Sequence, residues 1–298
     1  MIIYVISLLT ILLPAAGIIM LLRTRPVDRR EWFLNCAAAF GPVLLTALAG
    51  SWGVIGHSLR HVPLVCYAAT VLISFRRADF SAGRAARLDR WAASKLAAII
   101  LFFVLNIDLA RGAYAGGDRL EMDFPLRGGE YLVYQGGASL VGNPFHAMQP
   151  GSRYALDIVK LDDRGRRAAG ILPGDCADYM VYGEPVYSPL DATVLDARDG
   201  VRDNIPPAAD EALGPGNHVL LLADGRLVLL AHFARGSVKV NKGDIVKRGQ
   251  LLGRAGNSGN SLEPHLHIQA MKEGGTADAI PLSFKSMLYT INDIIIAE

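Results

Sequence analysis

Seven histidines stand in this chain of 298 residues: His57, His61, His146, His218, His232, His265 and His267. The sharpest spacing is His265-Leu266-His267. On a β-strand, residues two apart point to one face. Both imidazoles would then share a side, roughly 6–7 Å apart at the usual rise. Two such rings can divide labour, one holding a metal ion while the other faces its water. The preceding Gly256-Asn257-Ser258-Gly259-Asn260-Ser261 is a segment able to turn sharply. A histidine pair by itself is more often a surface feature of a strand, so its context has to decide. His57 and His61 flank a short turn in an apolar region and read as interfacial polar groups. His218 precedes the apolar run Val219–Leu222 and reads as structural. Asn217 beside it could orient a groove loop or simply serve a turn.

The elements that must position these side chains are short and β-like. From Glu130 onward, β-branched runs alternate with Gly, Pro, Asn and Asp, which is a strand-and-turn texture. The pattern predicts strands at Tyr131–Tyr134, Ala155–Val159, Pro185–Tyr187, Thr193–Leu195, His218–Leu222, Leu227–Ala231, Ser237–Val240, Gln250–Arg254 and His265–Ala270. No run keeps a helical period. Asp203–Gly216 is rich in Pro, Ala and acidic residues and reads as a surface loop. The expected organisation is a membrane part over 1–110, a linker over 111–129 with Gly116 and Gly117, an all-β domain over 130–285, and a tail over 286–298.

The membrane part follows from hydropathy. Half of the chain, 51%, is hydrophobic, only 19% is charged, and the mean hydropathy is +0.28. Disordered chains are poor in apolar residues, so that class is excluded. A net charge of +2 gives no basic field for phosphates, so no nucleic-acid partner is expected. The apolar residues concentrate before residue 111. Ile2–Leu22 and Phe33–Ile55 are uncharged and long enough to span a bilayer, which takes about 20 residues. Val62–Phe75 and Leu96–Ala110 reach that length with their flanks. Four transmembrane helices are therefore expected. Arg23, Arg25, Arg29 and Arg30 lie between the first two, and Arg76, Arg77, Arg84, Arg87, Arg90 and Lys95 between the last two. Positive residues stay on the cytoplasmic side. That rule puts both basic loops inside and everything after Ala110 outside. Three cysteines are too few for a disulfide scaffold. Cys36 and Cys66 fall towards opposite ends of their spans, and Cys176 would be a lone thiol; all three read as structural or incidental.

The segment LLAHFARGSVKVNKGDIVKRGQLLGRAGNSGNSLEPHLHI, residues 229–268, resembles the motif block of the LytM-type zinc metalloendopeptidases, peptidase family M23. The matching pieces are Ala231-His232, Val240 to Gly243, Val246 to Gln250, Gly256 to Gly259 and Pro264 to His267. Upstream, Tyr154-Ala155-Leu156-Asp157-Ile158 and Gly183 to Pro189 also match. The resemblance spans about residues 130–285 and leaves the four-span part uncovered.

This resemblance implies an antiparallel LytM-like β-domain of the duplicated-hybrid-motif type with an exposed zinc groove. It implies a Zn²⁺ cofactor held by a first histidine, an aspartate and the second histidine of His-x-His. The last two are Asp157 and His267. His232 and His265 correspond to the histidines that activate water and stabilise the tetrahedral intermediate. The family pattern places its first histidine four residues before the aspartate, where this chain has Arg153, which stays protonated and cannot ligate zinc. His146 is the expected replacement. A hairpin centred on Pro150-Gly151 would return it towards Asp157. Arg153 then faces solvent or steers an anionic substrate, and Tyr154 packs near the metal. The implied function is a membrane-anchored peptidoglycan endopeptidase in the bacterial inner membrane, with its β-domain on the periplasmic side and wall peptides as substrate. The alternative is a catalytically inactive domain of the same fold that binds wall peptides or regulates a wall hydrolase. A biotinyl-carrier-type module is a third reading, suggested by Val240–Gly253, but such modules need a modifiable lysine at a hairpin tip, and this block ends in His-Leu-His.

Overall fold

The computed structural model describes residues 2–26, 28–80, 91–114, 118–274 and 278–298. Arg84, Arg87, Arg90, Gly116 and Gly117 lie outside the described residues. The chain divides into two units, Met1–Trp52 with Gly56–Ala110, and Gly53–Ile55 with Arg111–Glu298.

The first unit is helical: α1 (Ile2–Arg23), α2 (Arg29–Ala49), the single turn α3 (Trp52–Ile55), a 3₁₀ stretch His57–His61 leading into α4 (Val62–Arg77), and α5 (Ala92–Gly112). Four stretches are long and apolar enough to cross a membrane: Val5–Arg23, Arg29–Ala49, His57–Arg77 and Ala92–Gly112. The second span differs from the expected Phe33–Ile55. It starts at Arg29 because Asp28 caps it, accepting the Glu31 N–H at 2.7 Å. It stops at Ala49 because Gly50 adopts extended backbone, and the Thr46 carbonyl accepts both the Gly50 N–H at 2.8 Å and Trp52 Nε1 at 2.6 Å. A side chain at Gly50 would strike that carbonyl and the Thr10 methyl. Small residues set the packing. A Cβ on Gly17 would lie 3.1 Å from the Ala39 oxygen, so α1 and α2 approach closely there. Leu8, Phe33, Val65, Leu72 and Phe103 are exposed, as lipid-facing side chains would be. All three cysteines are free thiols.

The second unit is an antiparallel β-structure. Its main sheet runs in the order β14 (Ile294–Ala297), β2 (Gly129–Gln135), β3 (Leu156–Lys160), β10 (Leu266–Lys272), β7 (Arg226–Phe233), β6 (Asn217–Ala223), β5 (Ala192–Arg198) and β8 (Ile245–Val246), with β11 (Ala279–Ile280) on β10. A second layer pairs β4 (Pro185–Tyr187) with β9 (Leu251–Arg254), and a third joins β1 (Leu120–Glu121), β12 (Leu282–Phe284) and β13 (Met287–Leu288). Alternation builds the core. Leu266, Ile268 and Ala270 of β10 join Leu156 and Ile158 of β3 and Val228 and Leu230 of β7 in one buried cluster. Burying one such side chain contributes roughly 1.5–3 kcal/mol.

Three expectations change. Ser237–Val240 runs between turns at Gly236 and Gly243, both at positive φ, and forms no strand. Lys239 N–H to Leu252 O is its one backbone bond to β9, with Ser237 Oγ bonded to Arg254 beside it, and the ladder resumes at β8. The stretch expected as a tail supplies the edge strand β14, with Ile295 buried opposite Tyr131. Its run Ile294–Ile296 is β-branched throughout, which suits a strand. The expected linker contributes β1, and Met122 and Leu126 are core residues.

Candidate metal centre

Strand register assembles the centre. His267 on β10 lies directly opposite Asp157 on β3 and Ala231 on β7. Cross-strand partners share a face, and so do residues two apart. Asp157, His265, His267 and Gln269 therefore lie on the face opposite the Leu266–Ile268 core. His232 reaches them by a bulge. Asn217 pairs with Phe233 and His218 with Ala231, so His232 is the extra residue on β7, with φ of 65°. A non-glycine residue there is strained, and a bulge re-aims its side chain.

His146 arrives by a different path. The expected hairpin at Pro150-Gly151 is absent; residues 141–154 form consecutive turns. Backbone bonds from Gln149 N to His146 O, Ser152 N to Gln149 O and Ala155 N to Ser152 O step the chain towards β3. Fully buried Asn143 holds the start, its Nδ2 donating to Gly137 O at 2.9 Å and Ala155 O at 3.0 Å. Turns prevail because Gly, Asn, Pro and Ser crowd the segment. They bring His146 Nε2 to 3.0 Å from Asp157 Oδ2.

Two overlapping groups of possible ligand atoms result. His146, Asp157 and His267 present atoms within 4.8 Å of one another, and so do His232, His265 and His267. The rings of His146 and His267 are 4.8 Å apart, as are those of His232 and His265.

Hydrogen bonds fix the tautomers. Gln269 Nε2 donates to Gly151 O at 3.0 Å, so its Oε1 accepts from His267 Nε2 at 2.7 Å. His267 Nδ1, in the neutral ring, is then a lone pair 2.9 Å from the Asp157 Oδ1 acceptor. A proton on Nδ1 or a metal cation shared by the two atoms satisfies that contact. An aspartate and two imidazoles are also a donor set that zinc takes. The residues present thus fit such an ion.

His232 Nδ1 donates to Ser258 O at 2.8 Å and His265 Nδ1 to Glu263 O at 2.8 Å. Both present Nε2 to the centre, with His265 Nε2 3.5 Å from Asp157 Oδ1. Their proton affinities diverge. Burial, reinforced by the neighbouring His265 and His267, holds His232 well below the ordinary imidazole value. Burial also opposes charge on His265, but the Asp157 carboxylate outweighs it and raises that imidazole. Burial would raise the Asp157 carboxyl, yet His146 and His265 hold it well below the usual carboxylate range.

Other singled-out residues fall elsewhere. His218 Nδ1 bonds Gly216 O, and its Nε2 lies 3.1 Å from Asp196, outside either group. Asn217 is fully buried and ties Val201 to Phe233. Arg153 is exposed, its guanidinium 5.9 Å from the centre of the half-buried Tyr154 ring. Three supporting residues escaped the sequence reading: Asn143, Gln269 and Arg167. Arg167 is wholly buried and clamps Glu263 at 2.7 and 2.5 Å. Gln269 stands two residues after His267, at a same-face spacing that was available as a signal; Arg167 lies 96 positions from its partner and left none.

Comparison with known proteins bears on this geometry. Residues 177–279 match the family model described as Peptidase family M23. A stretch of 111 residues is 31% identical to the peptidoglycan DD-endopeptidase ShyA of Vibrio cholerae, covering 37% of this chain and 23% of ShyA. The chain therefore spans less than a quarter of that curated relative's length. Among solved structures, the catalytic domain of lysostaphin from Staphylococcus simulans is 28% identical, with 34% of this chain and 68% of that one covered and a TM-score of 0.27. Helicobacter pylori Csd3 is 20% identical, with 54% and 33% covered and a TM-score of 0.32. Residues 177–279 thus resemble a peptidase family M23 domain. His232, His265 and His267 lie inside that match; His146 and Asp157 precede it and join the centre through the fold.

Proposed function

We propose that the chain is a membrane-anchored zinc endopeptidase acting on the peptides of peptidoglycan. The observation that carries this is the convergence of His146 Nε2, Asp157 and the Gln269-locked His267 Nδ1. These three are the zinc ligands in this reading. They include the carboxylate, whereas the second group is three imidazoles, and His267 Nδ1 already faces Asp157. Zinc held there supplies Lewis-acid polarisation of a carbonyl and an acidified water.

The remaining histidines divide the proton work. His232 is kept neutral, its Nδ1–H is committed to Ser258 O, and its Nε2 lone pair accepts the proton of the attacking water. His265 Nε2 stands 3.5 Å from Asp157 Oδ1, and in its protonated form its Nε2–H would donate to the carbonyl oxygen as negative charge develops. Opposite shifts on neighbouring titratable groups are how acid and base are assigned at one pH.

The orientation rests on charge. Arg23, Arg25, Arg29 and Arg30 cluster between α1 and α2, and Arg76, Arg77 and Lys95 lie near the facing ends of α4 and α5. With those ends cytoplasmic, the peptidase domain is periplasmic, where the wall polymer lies.

The test uses the full chain purified in detergent. Zinc per chain is measured in the wild type and in His146→Ala, Asp157→Ala and His267→Ala, alongside digestion of isolated peptidoglycan. Near one zinc in the wild type, lost in all three variants together with hydrolysis, is expected. Bound zinc without hydrolysis would assign a wall-binding domain instead. No zinc after reconstitution would end the reading.

A further inference from the structure

A second feature of the β-unit lies beside the histidine centre. Residues 198–204, with Asp210, Leu213 and Arg235, line an open cavity of about 710 Å³. That is within the range of pockets that hold small ligands, roughly 300–1,000 Å³. Arg198, Arg202 and Arg235 line this space, all three are exposed, and none forms an ion pair among the described residues. Asp199, Asp203 and Asp210 line the cavity as well, and the first two are engaged by other donors. Asp199 accepts the N–H groups of Gly200, Gly236 and Val238. Asp203 accepts those of Asn257 and Arg235 and the Tyr182 hydroxyl. Asp210 pairs with none of the three arginines. Asp199 and Asp203 are oriented by these neutral donors and not by the arginine side chains, whose guanidinium donors are left for an incoming group.

The cavity is held in shape and joined to the histidine centre. Buried Asn217 clamps Val201 through both its amide atoms, at 2.8 Å each. Asn204 Nδ2 donates to Gly259 O at 2.7 Å and to Ser261 O at 3.1 Å. The loop 257–261 thus forms a shared wall. On one side Ser258 O orients His232 and Ser261 Oγ lies 3.2 Å from His265 Nδ1; on the other it supports the arginine cavity.

We propose that this cavity is a subsite for a free carboxylate of the substrate, placed next to the peptide bond presented to the histidines. The inference rests on the peptidase reading for its substrate and adds the group recognised. Guanidinium is the side chain suited to carboxylate, which it meets with two parallel donors. Three of them along one concave wall select an acidic peptide over its amidated counterpart.

Binding tests this without using turnover. The full chain in detergent, stripped of metal by a chelator, is cosedimented with isolated peptidoglycan at about 0.15 M salt, where long-range attraction is screened. The same polymer is tested after its carboxyls are converted to amides. The wild type should bind the amidated polymer at least tenfold more weakly. The variant Arg198→Ala/Arg202→Ala/Arg235→Ala should lose a similar factor on the untreated polymer and no more on the amidated one. Arg164→Ala, an exposed arginine elsewhere, should behave as wild type. Equal wild-type binding to both polymers, binding to neither, or undiminished discrimination by the triple variant would overturn the subsite. Hydrolysis of the untreated polymer by the zinc-loaded protein is scored separately, so loss of the peptidase reading is told apart from loss of the subsite.

Discussion

The two sides of the histidine centre are built in different ways. Asp157 and His267 sit on paired strands, and register alone makes them neighbours. His146, His232 and His265 come from a run of turns, a bulge and a loop exit, and each needs an anchor outside the ladder: Asn143, Ser258 O and Glu263 O respectively. A sheet determines geometry through many shared backbone bonds, whereas a loop does so through a few side chains. The strand-borne side should therefore fail by losing chemistry, and the loop-borne side by losing order.

The largest effect is expected on the strand side. Asp157→Asn removes the carboxylate between the rings, so bound zinc falls to near none and hydrolysis with it, while thermal unfolding of the metal-free β-unit changes far less. Unchanged zinc content by elemental analysis would break the contrast.

Arg167→Met attacks the loop side. It leaves Glu263 buried without its cation, which costs about 3–5 kcal/mol. Chemical denaturation should show that loss although no group of the centre has changed. A drop under about 1 kcal/mol would mean the loop before His265 is held by other contacts.

Gln269→Leu sharpens the strand side, since it frees the tautomer of His267 without touching a ligand. Zinc affinity should fall about 10–100-fold. A chelator competition that finds no change would show that register alone orients the ring.

Acid titration separates the loop-borne pair in the metal-free protein. His232 has a depressed folded value, so its contribution is lost as pH falls below the ordinary imidazole value of about 6.5. His265 is raised, so its contribution is full below that pH and fades as pH rises through its folded value. His232→Gln should flatten the fall in stability below about pH 6.5, and His265→Gln the alkaline decline. Asp157, held low, adds a loss only in stronger acid. An acid limb in His232→Gln as steep as in the wild type would remove burial of that ring as its cause.

The smallest effect is expected at His218→Asn, which lies outside the centre beside a largely exposed Asp196. Stability should change by less than about 1 kcal/mol and zinc binding not at all. A loss of zinc here would extend the centre along β6.

Much of this was legible beforehand for a physical reason. The four apolar stretches are a property of local composition, and so is the strand texture after Glu130. Where the expectation moved, one side chain did the moving: Gly50 with Trp52 ended the second span early, and the glycines at 236 and 243 kept Ser237–Val240 out of the ladder. His146 reaches Asp157 as expected, but through turns and not through a hairpin. The turns that bring it in depend on Asn143 reaching Ala155, a contact between residues 12 apart that no local pattern announces.

By itself, the sequence determined which chemistries were available. It placed His-x-His on a strand, supplied an aspartate on another, and put four apolar stretches into the first 110 residues. Tertiary structure alone decided which atoms meet. Register put Asp157 opposite His267 across 110 positions of chain, a bulge swung His232 inward, and Gln269 chose the nitrogen that His267 offers. Residue type sets what a group can do through its own bonds. Its tautomer, charge and neighbours are set by burial and by partners distant in sequence, and those exist only once the chain has folded.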